Sequence, residues 1–357
     1  MLKQYPTLRY ILQRGVWYLL TFIVAVAINF LLPRLGNNNP VDIIMGKASS
    51  GLSAEAARVK EESYLKEFGL VKIKHGEIVR DAQGRPVKSS KVEQFGNYIK
   101  MCFLGDLGTS FQKYPKKVLD VIREAVPWTI ALQLPTILFG WIIGNVLGAL
   151  AAYRRGVFDR VFFPAALLIS SIPFFVFGML LVYYFAVVLN WFPAMGGYAG
   201  ELIPSFSWSF FSSVAYHYTL PFFSIFLVLA GGQAIGMRSM GIYELGTDYI
   251  KYAKWLGLKE NKIIAYLFRN AMLPQLTGLA LSLGTMISGA LITEMIFSYP
   301  GLGMAILTAI QNNDYPMIQG CTLLITVSVL IANFTVDILI GFLDPRVKAG
   351  LQIGKGK

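Results

Sequence analysis

Ionisable and metal-ligating side chains are scarce in this chain. Of 357 residues, 2 are cysteine and 2 are histidine. Cys102 and Cys321 lie far apart and His75 and His217 stand alone, with no CxxC or Cys/His cluster around them. That excludes a disulfide framework and a metal centre of ordinary ligand spacing, and leaves little for general-base chemistry. Asp, Glu, Lys and Arg make up 15% of the chain, against about 25% in an ordinary soluble domain. GxxxxGK[ST], GxSxG and HExxH are also missing, so no phosphate cradle, nucleophile elbow or zinc-protease helix is present. No carboxylates pair with a credible partner, which argues against an enzyme.

What the chain has in quantity is apolar surface, with 55% hydrophobic and 14% aromatic residues. A soluble fold could not bury that much, so composition points to a membrane protein with lipid as its main surroundings. The formal net charge of +12 would suit a nucleic-acid partner. Its basic residues, however, flank apolar runs and form no aromatic-basic RNA-binding motif, so the excess reads as membrane orientation, with no nucleic acid involved.

A helix needs about 20 apolar residues to cross a bilayer with its backbone hydrogen bonds satisfied internally. Long charge-free intervals place six spans, near 14–34, 126–152, 160–187, 218–238, 271–295 and 321–343. The Pro-, Gly-, Ser- and aromatic-rich stretch between Asn190 and Tyr218 is expected to be mostly loop. Met295 to Asn313, broken by Ser298-Tyr299-Pro300-Gly301, reads as loop and short helix. Lys and Arg in the two tails and the loops of one side, counted to the edges of the spans, number 16. The short loops Asn190–His217 and Phe297–Gly320 on the other side carry none. The positive-inside rule then makes both termini, 1–13 and 346–357, cytoplasmic. The first span has an A-x-A pattern at Ala25 to Ala27, but its apolar run continues to Leu32 and predicts a retained anchor rather than a cleaved signal.

The segment 35–124 falls outside by parity. Ser53 to Phe68 predicts a charged helix that starts at Ser53 and stops at Gly69. The following LVKIKHGEIVRDAQGRPV predicts short strands broken at His75-Gly76 and Gln83-Gly84. Together they form a small α+β insertion, either a docking surface or a solvated addition. Two acids fall inside spans: Glu294, placed to reach the outer interface, and Asp337, placed to pair with a polar neighbour. LAGGQ at Leu229 to Gln233 resembles an ATPase signature loop, but it lies in an apolar span of a chain without a Walker A, and reads as small residues that let helices approach closely.

The loop 240–270, between the fourth and fifth spans, carries the most information. Asp248 is a plausible N-cap, and helical spacing puts Tyr249, Tyr252, Ala253 and Leu256 on one side of a short helix, with Lys251 and Lys254 in water. Gly257 ends that helix, Leu258 follows the turn, and Lys259 to Phe268 begins a second amphipathic helix. Two short amphipathic helices exceed what a connector needs. They dock on a cytosolic partner or lie on lipid headgroups.

Ala253, Gly257 and Arg269-Asn270-Ala271-Met272-Leu273-Pro274 are similar to the cytoplasmic "EAA" loop of ABC-importer permeases, in the dipeptide, oligopeptide and nickel permease family. The resemblance extends to GDLGTSF (Gly105–Phe111), SSIPFF (Ser170–Phe175), TEMIFSYPGLG (Thr293–Gly303), NDYPMIQG (Asn313–Gly320) and DPRVK (Asp344–Lys348). Two departures stand out: Lys251 replaces the motif glutamate, and Gly36-Asn37-Asn38-Asn39-Pro40 replaces the usual Pro-Gly-Asp-Pro after the first span. The insertion from about Ser49 to Lys91 also exceeds the family's usual loop.

The resemblance implies an all-α type I permease of six transmembrane helices, the first of two paralogous permease subunits. It implies a second permease, two cytosolic ATPases that carry the ATP and Mg, and an extracytoplasmic solute-binding protein as partners. No cofactor is expected on this chain. The coupling residues would be Asp248, Tyr249, Tyr252, Ala253, Leu256, Gly257, Leu258, Arg269, Asn270 and Pro274, with Gly257 allowing the turn and Pro274 breaking the chain where the fifth span begins. Gln133, Ser171, Gln275, Ser282, Thr285, Ser288 and Thr293 are candidates for the translocation path, or else interhelical packing groups. Peptides are the leading cargo, with oligosaccharides or nickel as alternatives. The rival of another class is a secondary transporter driven by ions through Glu294 and Asp337.

Overall fold

The computed structural model describes residues 6–31, 41, 45, 53–67, 69–74, 77–154, 156–286 and 291–343. Helices dominate them. Four are long and apolar enough to cross a membrane: α1 (Pro6–Leu31, apolar from Ile11), the helix Val118–Arg154, the helix Trp208–Leu245, and Tyr315–Leu343 (apolar through Thr335). The helix Gly156–Ser171 and the stretch Phe174–Val188 pass the same test together but meet at an angle of 97°. The described residues therefore hold four to five candidate spans.

Three expected spans differ from their sequence reading. The fourth, 218–238, lies within the longer helix Trp208–Leu245, so the end of the Asn190–Tyr218 stretch is helix and not loop. The third, 160–187, is bent: Ile172-Pro173 interrupts it, because Pro173 lacks an amide proton and pushes the residue before it out of the helical region. The expected fifth, 271–295, is not among the candidate spans, and the helix that carries its first part begins earlier. The helix Glu260–Gly284 runs through Pro274 without a break, so the second amphipathic helix of the 240–270 loop and the start of the fifth span are one rod. That helix ends at Gly284, and residues 287–290 lie outside the described residues.

The chain forms two compact units. One consists of Met1–Tyr18, Val126–Met304 and Ser328–Lys357, the other of Leu19–Ala125 and Ala305–Val327.

In the second unit, α2 (Ala54–Glu67) starts where Ser53 Oγ accepts from the Ala56 amide at 3.3 Å and stops before Gly69 at φ +62°. Strands β1 (Ile73–Lys74) and β2 (Glu77–Ile78) pair antiparallel, and the bridges Val71–Lys88 and Arg80–Pro86 extend the ladder. Arg80 clamps Glu62 of α2 through two bonds of 2.9 and 2.7 Å, which holds the Glu62 carboxyl below its ordinary pKa. A further helix, α3 (Lys91–Leu104), was not anticipated, although Ser90-Lys91-Val92-Glu93 spells a capping box. Ser90 Oγ accepts from the Glu93 amide and Glu93 accepts from the Ser90 amide.

Two of the sequence motifs meet in this unit. Asp314 is buried at the N-cap of α12 (Tyr315–Leu343) and accepts from the Met317 amide at 3.2 Å, the Ser110 hydroxyl at 2.5 Å and the Gln112 amide at 3.1 Å. GDLGTSF and NDYPMIQG are thus two halves of one hydrogen-bonded junction. Gly320 seals it, since a Cβ there would lie 2.5 Å from Val118 Cγ1. Asp314→Ala takes the acceptor from two buried donors, the Ser110 hydroxyl and the Met317 amide, and from the part-buried Gln112 amide, and should cost about 3 kcal/mol. The check is the midpoint of thermal unfolding in detergent, which should fall clearly below that of wild type.

The first unit is built on α4 (Val118–Arg154) packed against α7 (Trp208–Leu245). Gly140, Gly144 and Gly148 repeat every four residues on one face of α4. Cβ atoms at Gly144 and Gly148 would fall 2.5 Å from the Ala230 carbonyl oxygen and 2.3 Å from that of Ala234. This is close small-residue packing, and LAGGQ supplies the other side of it. Gly231 faces away, with a Cβ position 3.0 Å from the Ala166 carbonyl of α5 (Gly156–Ser171). Near the other end of α7, Phe297 and Tyr299 are buried with Leu132, Leu220 and Ile225, walled by Trp128, Phe174 and Tyr218.

Candidate functional site

The loop 240–270 forms a small folded module. After α7 ends at Leu245, Thr247 takes the N-cap position of α8 (Asp248–Trp255), with no side-chain capping bond. Asp248 is therefore the first helical residue rather than the cap, and its carboxylate accepts from Lys251 Nζ at 2.9 Å. The buried face also differs from the expected one. Ile250 and Ala253 point inward and meet Ile263, with Tyr153, Leu245 and Leu258 packed around them. Tyr252 (61% exposed) and Leu256 (77%) lie outside, beside Trp255 (77%). A tryptophan, a tyrosine and a leucine thus form an exposed apolar ridge bordered by Lys251 and Lys254. Ile250, rather than Leu256, anchors the helix because it falls three residues before Ala253 on the same stripe.

The helix stops by a complete Schellman turn. Gly257 has φ +68°, the Leu258 amide donates to the Ala253 carbonyl at 3.1 Å, and the Leu258 side chain joins the cluster that holds Ala253. No atom lies within 4 Å of a Cβ at Gly257. The glycine is required by its backbone angle, and space plays no part.

Tyr249 ties the module to both of its neighbours. Its hydroxyl donates to Glu244 Oε2 of α7 at 2.6 Å and accepts from Asn270 Nδ2 of α9 (Glu260–Gly284) at 2.7 Å. Burial, then the bond to Glu244, raises the phenol's pKa, so the hydroxyl stays protonated and both bonds persist through neutral pH. Sequence reading placed Tyr249 and Asn270 in the loop but not in contact. Replacing Tyr249 by Phe removes both bonds and should cost about 1–2 kcal/mol, seen as faster proteolysis of the loop with the spans intact. Leu267 and Ala271 of α9 pack on Ala149 of α4 and Met237 of α7, which fixes the base of the module.

The candidate path residues do not converge on one site. The Ser171 hydroxyl turns back to the Leu167 carbonyl, Ser282 to Gly278 and Thr285 to Leu281, all within their own helices. Gln133 and Gln275 are buried, and Trp141 Nε1 donates to the backbone carbonyl of Gln275 at 2.8 Å. Thr293 is buried beside Glu294, and Ser288 lies outside the described residues.

Glu294, expected at the interface, is instead fully buried in α10 (Leu291–Ile296). Its Oε2 accepts from the Gly303 amide at 2.6 Å at the start of α11 (Leu302–Gln311), while Thr129 Oγ1 accepts from the Leu302 amide at 2.9 Å. Gly301 and Gly303 leave no room for a Cβ against the carboxylate. The acid thus pins the Ser298–Gly301 turn, a contact that the spacing of nine residues did not reveal. Asp337 accepts from Tyr18 at 2.8 Å and pairs with Arg14 at 3.4 Å, both on α1.

Four helices long and apolar enough to cross a membrane, with a folded polar module at 240–270, define the frame of a polytopic membrane component. Residues 144–349 match the family model of binding-protein-dependent transport system inner membrane components, and the chain belongs to that family. It is 32% identical to the dipeptide transport system permease protein DppB of Escherichia coli, over 96% of this chain and 99% of that protein. It is 30% identical to a di/tripeptide transport system permease protein of Pseudomonas aeruginosa, over 92% and 95% of the two chains. It is also 28% identical to the glutathione transport system permease protein GsiC of Salmonella typhi, over 96% and 99%. The chain is therefore an inner-membrane permease subunit.

Proposed function

We propose that this chain is one of two permease subunits of an ATP-driven importer and forms half of the translocation pathway for short peptides delivered by an extracytoplasmic binding protein. It is non-catalytic; ATP and Mg belong to two cytosolic ATPase partners. The observation that carries this reading is the 240–270 module, whose inner face is fastened to α4, α7 and α9 and whose outer face presents Tyr252, Trp255 and Leu256. A ridge of exposed aromatic and aliphatic side chains on a rigid base suits docking on another protein. The lysine pattern, with 16 Lys and Arg in the segments on one side, supports a cytoplasmic location for the module and for both termini.

In this reading the six-span organisation is completed by the bent 156–188 pair and by a fifth crossing that α9 and α10 share. The insertion within 35–124 faces the binding protein. Cargo is inferred from relatives named for dipeptides, di/tripeptides and glutathione, which favours peptides over oligosaccharides or nickel. Asp337, already engaged by Arg14 and Tyr18, and Glu294, pinned to a turn, are better explained as structural groups than as an ion relay.

The test is mass spectrometry of proteins that co-purify with the tagged chain in mild detergent from its native host. A second multi-span permease and Walker-containing ATPases are expected, and they should be lost when Trp255 and Leu256 are both changed to Ser. Recovery of the chain alone, under conditions that preserve a known importer complex, would refute the assignment.

A further inference from the structure

We propose that Asp159 and Arg238 form a positioning clamp that makes α5 and α7 move as one body, and so carries motion of the 240–270 module to the bend at Ile172-Pro173. The inference rests on the reading of that module as the ATPase dock.

Arg238 Nε and Nη2 donate to the two carboxylate oxygens of Asp159 at 2.5 and 2.6 Å, and its guanidinium lies 4.1 Å from the centre of the Phe163 ring. The side chains are only 19% and 15% exposed. A planar, bidentate, partly buried pair stacked on an aromatic ring resists both sliding and rotation, unlike a single-point surface ion pair. Its position gives that rigidity a use. Arg238 precedes the end of α7 at Leu245 by two turns, about 10 Å of helix, so displacement of the module enters α7 at this level.

Helix α5 receives no such push along the chain. It begins at Gly156, at φ +74°, only two residues after α4 ends at Arg154. A glycine joint of this kind lets α5 swing independently of α4. The clamp, together with the close approach of Gly231 to the Ala166 carbonyl, fastens α5 to α7 instead. At its far end α5 reaches the 97° break, after which α6 (Phe174–Leu181) packs Gly178 against Ser224 and Phe297. Motion taken up by α7 thus reaches the buried aromatic cluster both directly and around the bend through α5.

The experiment uses the complete importer in proteoliposomes, with Asp159→Asn, Arg238→Gln, Arg238→Lys and the exchanged pair Asp159→Arg/Arg238→Asp. It measures the co-purified ATPases, ATP hydrolysis and labelled dipeptide taken up per ATP. Both neutralising variants should keep their ATPases and about half or more of the hydrolysis rate, while uptake per ATP falls about tenfold. Arg238→Lys, with its charge but without the fork, should fall between, and the exchanged pair should regain most of the coupling. Unchanged uptake per ATP in the neutralising variants overturns the clamp, as does an assembled exchanged pair that hydrolyses ATP but stays uncoupled. A wild-type complex without ATPases or ATP-driven uptake would instead overturn the dock reading beneath it.

Discussion

Gly148→Leu is expected to abolish recovery of a monodisperse protein in mild detergent. A Cβ at Gly148 would sit 2.3 Å from the Ala234 carbonyl oxygen and 2.9 Å from Ala234 Cα, both backbone atoms that cannot rotate away. The α4 and α7 helices would have to separate along the whole stripe that Gly140 and Gly144 also build. Helices in lipid gain little from the hydrophobic effect and associate through such van der Waals contact, so the loss falls on the main term holding the pair together. The expected destabilisation is above about 3 kcal/mol. Gly232→Leu is the internal control: this glycine also lies in the apolar part of α7 but has nothing within 4 Å of its Cβ position. Fluorescence-detected size exclusion should give a normal peak for Gly232→Leu and aggregate for Gly148→Leu. Equal peaks would contradict the packing described.

Gly257→Val is the second large effect, of a different kind. Nothing obstructs a side chain there, so the spans should insert and pack normally. The penalty is conformational. A β-branched residue at φ +68° costs roughly 1–3 kcal/mol, enough to unmake the Leu258–Ala253 bond and release Leu258 from the cluster with Ile250 and Ala253. The Tyr252–Trp255–Leu256 ridge then loses its fixed angle to α9. Transport per ATP should fall about tenfold, within the usual range of coupling energies, with the chain's abundance in the membrane unchanged. Gly257→Asn, which tolerates the left-handed region, should stay near wild type. Full coupling in the valine variant would show that the turn takes no part in coupling.

Much of this architecture is legible in the sequence because membrane crossing imposes length and polarity together. The first span, the Asn190 break, the short helix after Pro300, the charged helix at 54–67 and the Gly257 stop all follow from local rules. What the sequence does not show is long-range geometry. Charge-free length alone cannot reveal that Pro173 bends a span while Pro274 rides inside a continuous helix, since the outcome depends on which neighbours satisfy the freed carbonyl. The buried face of α8 is not legible in the sequence, because Leu256 and Tyr252 look like core residues and only the position of Ile263 shows that the stripe runs through Ile250 and Ala253. Two signals were present and unread: the Gly140-Gly144-Gly148 repeat and the Ser90–Glu93 capping box. The partners of Asp314 and Arg238, Ser110 and Asp159, lie 204 and 79 residues away, beyond any pattern within one segment; Glu294 and Gly303 stand 9 residues apart in one motif, and only the fold of the turn between them brings them together.

The central claim is that this chain moves its cargo by energy delivered at the 240–270 module. The most direct measurement is accumulation of a labelled dipeptide in proteoliposomes that hold the complete complex, with binding protein on one side and ATP supplied to the ATPases on the other. Uptake should require hydrolysable ATP, survive collapse of proton and sodium gradients, and disappear in the Trp255→Ser/Leu256→Ser variant. Uptake that proceeds without ATP, follows an imposed ion gradient and ceases in Asp337→Asn would contradict the claim and identify an ion-coupled transporter.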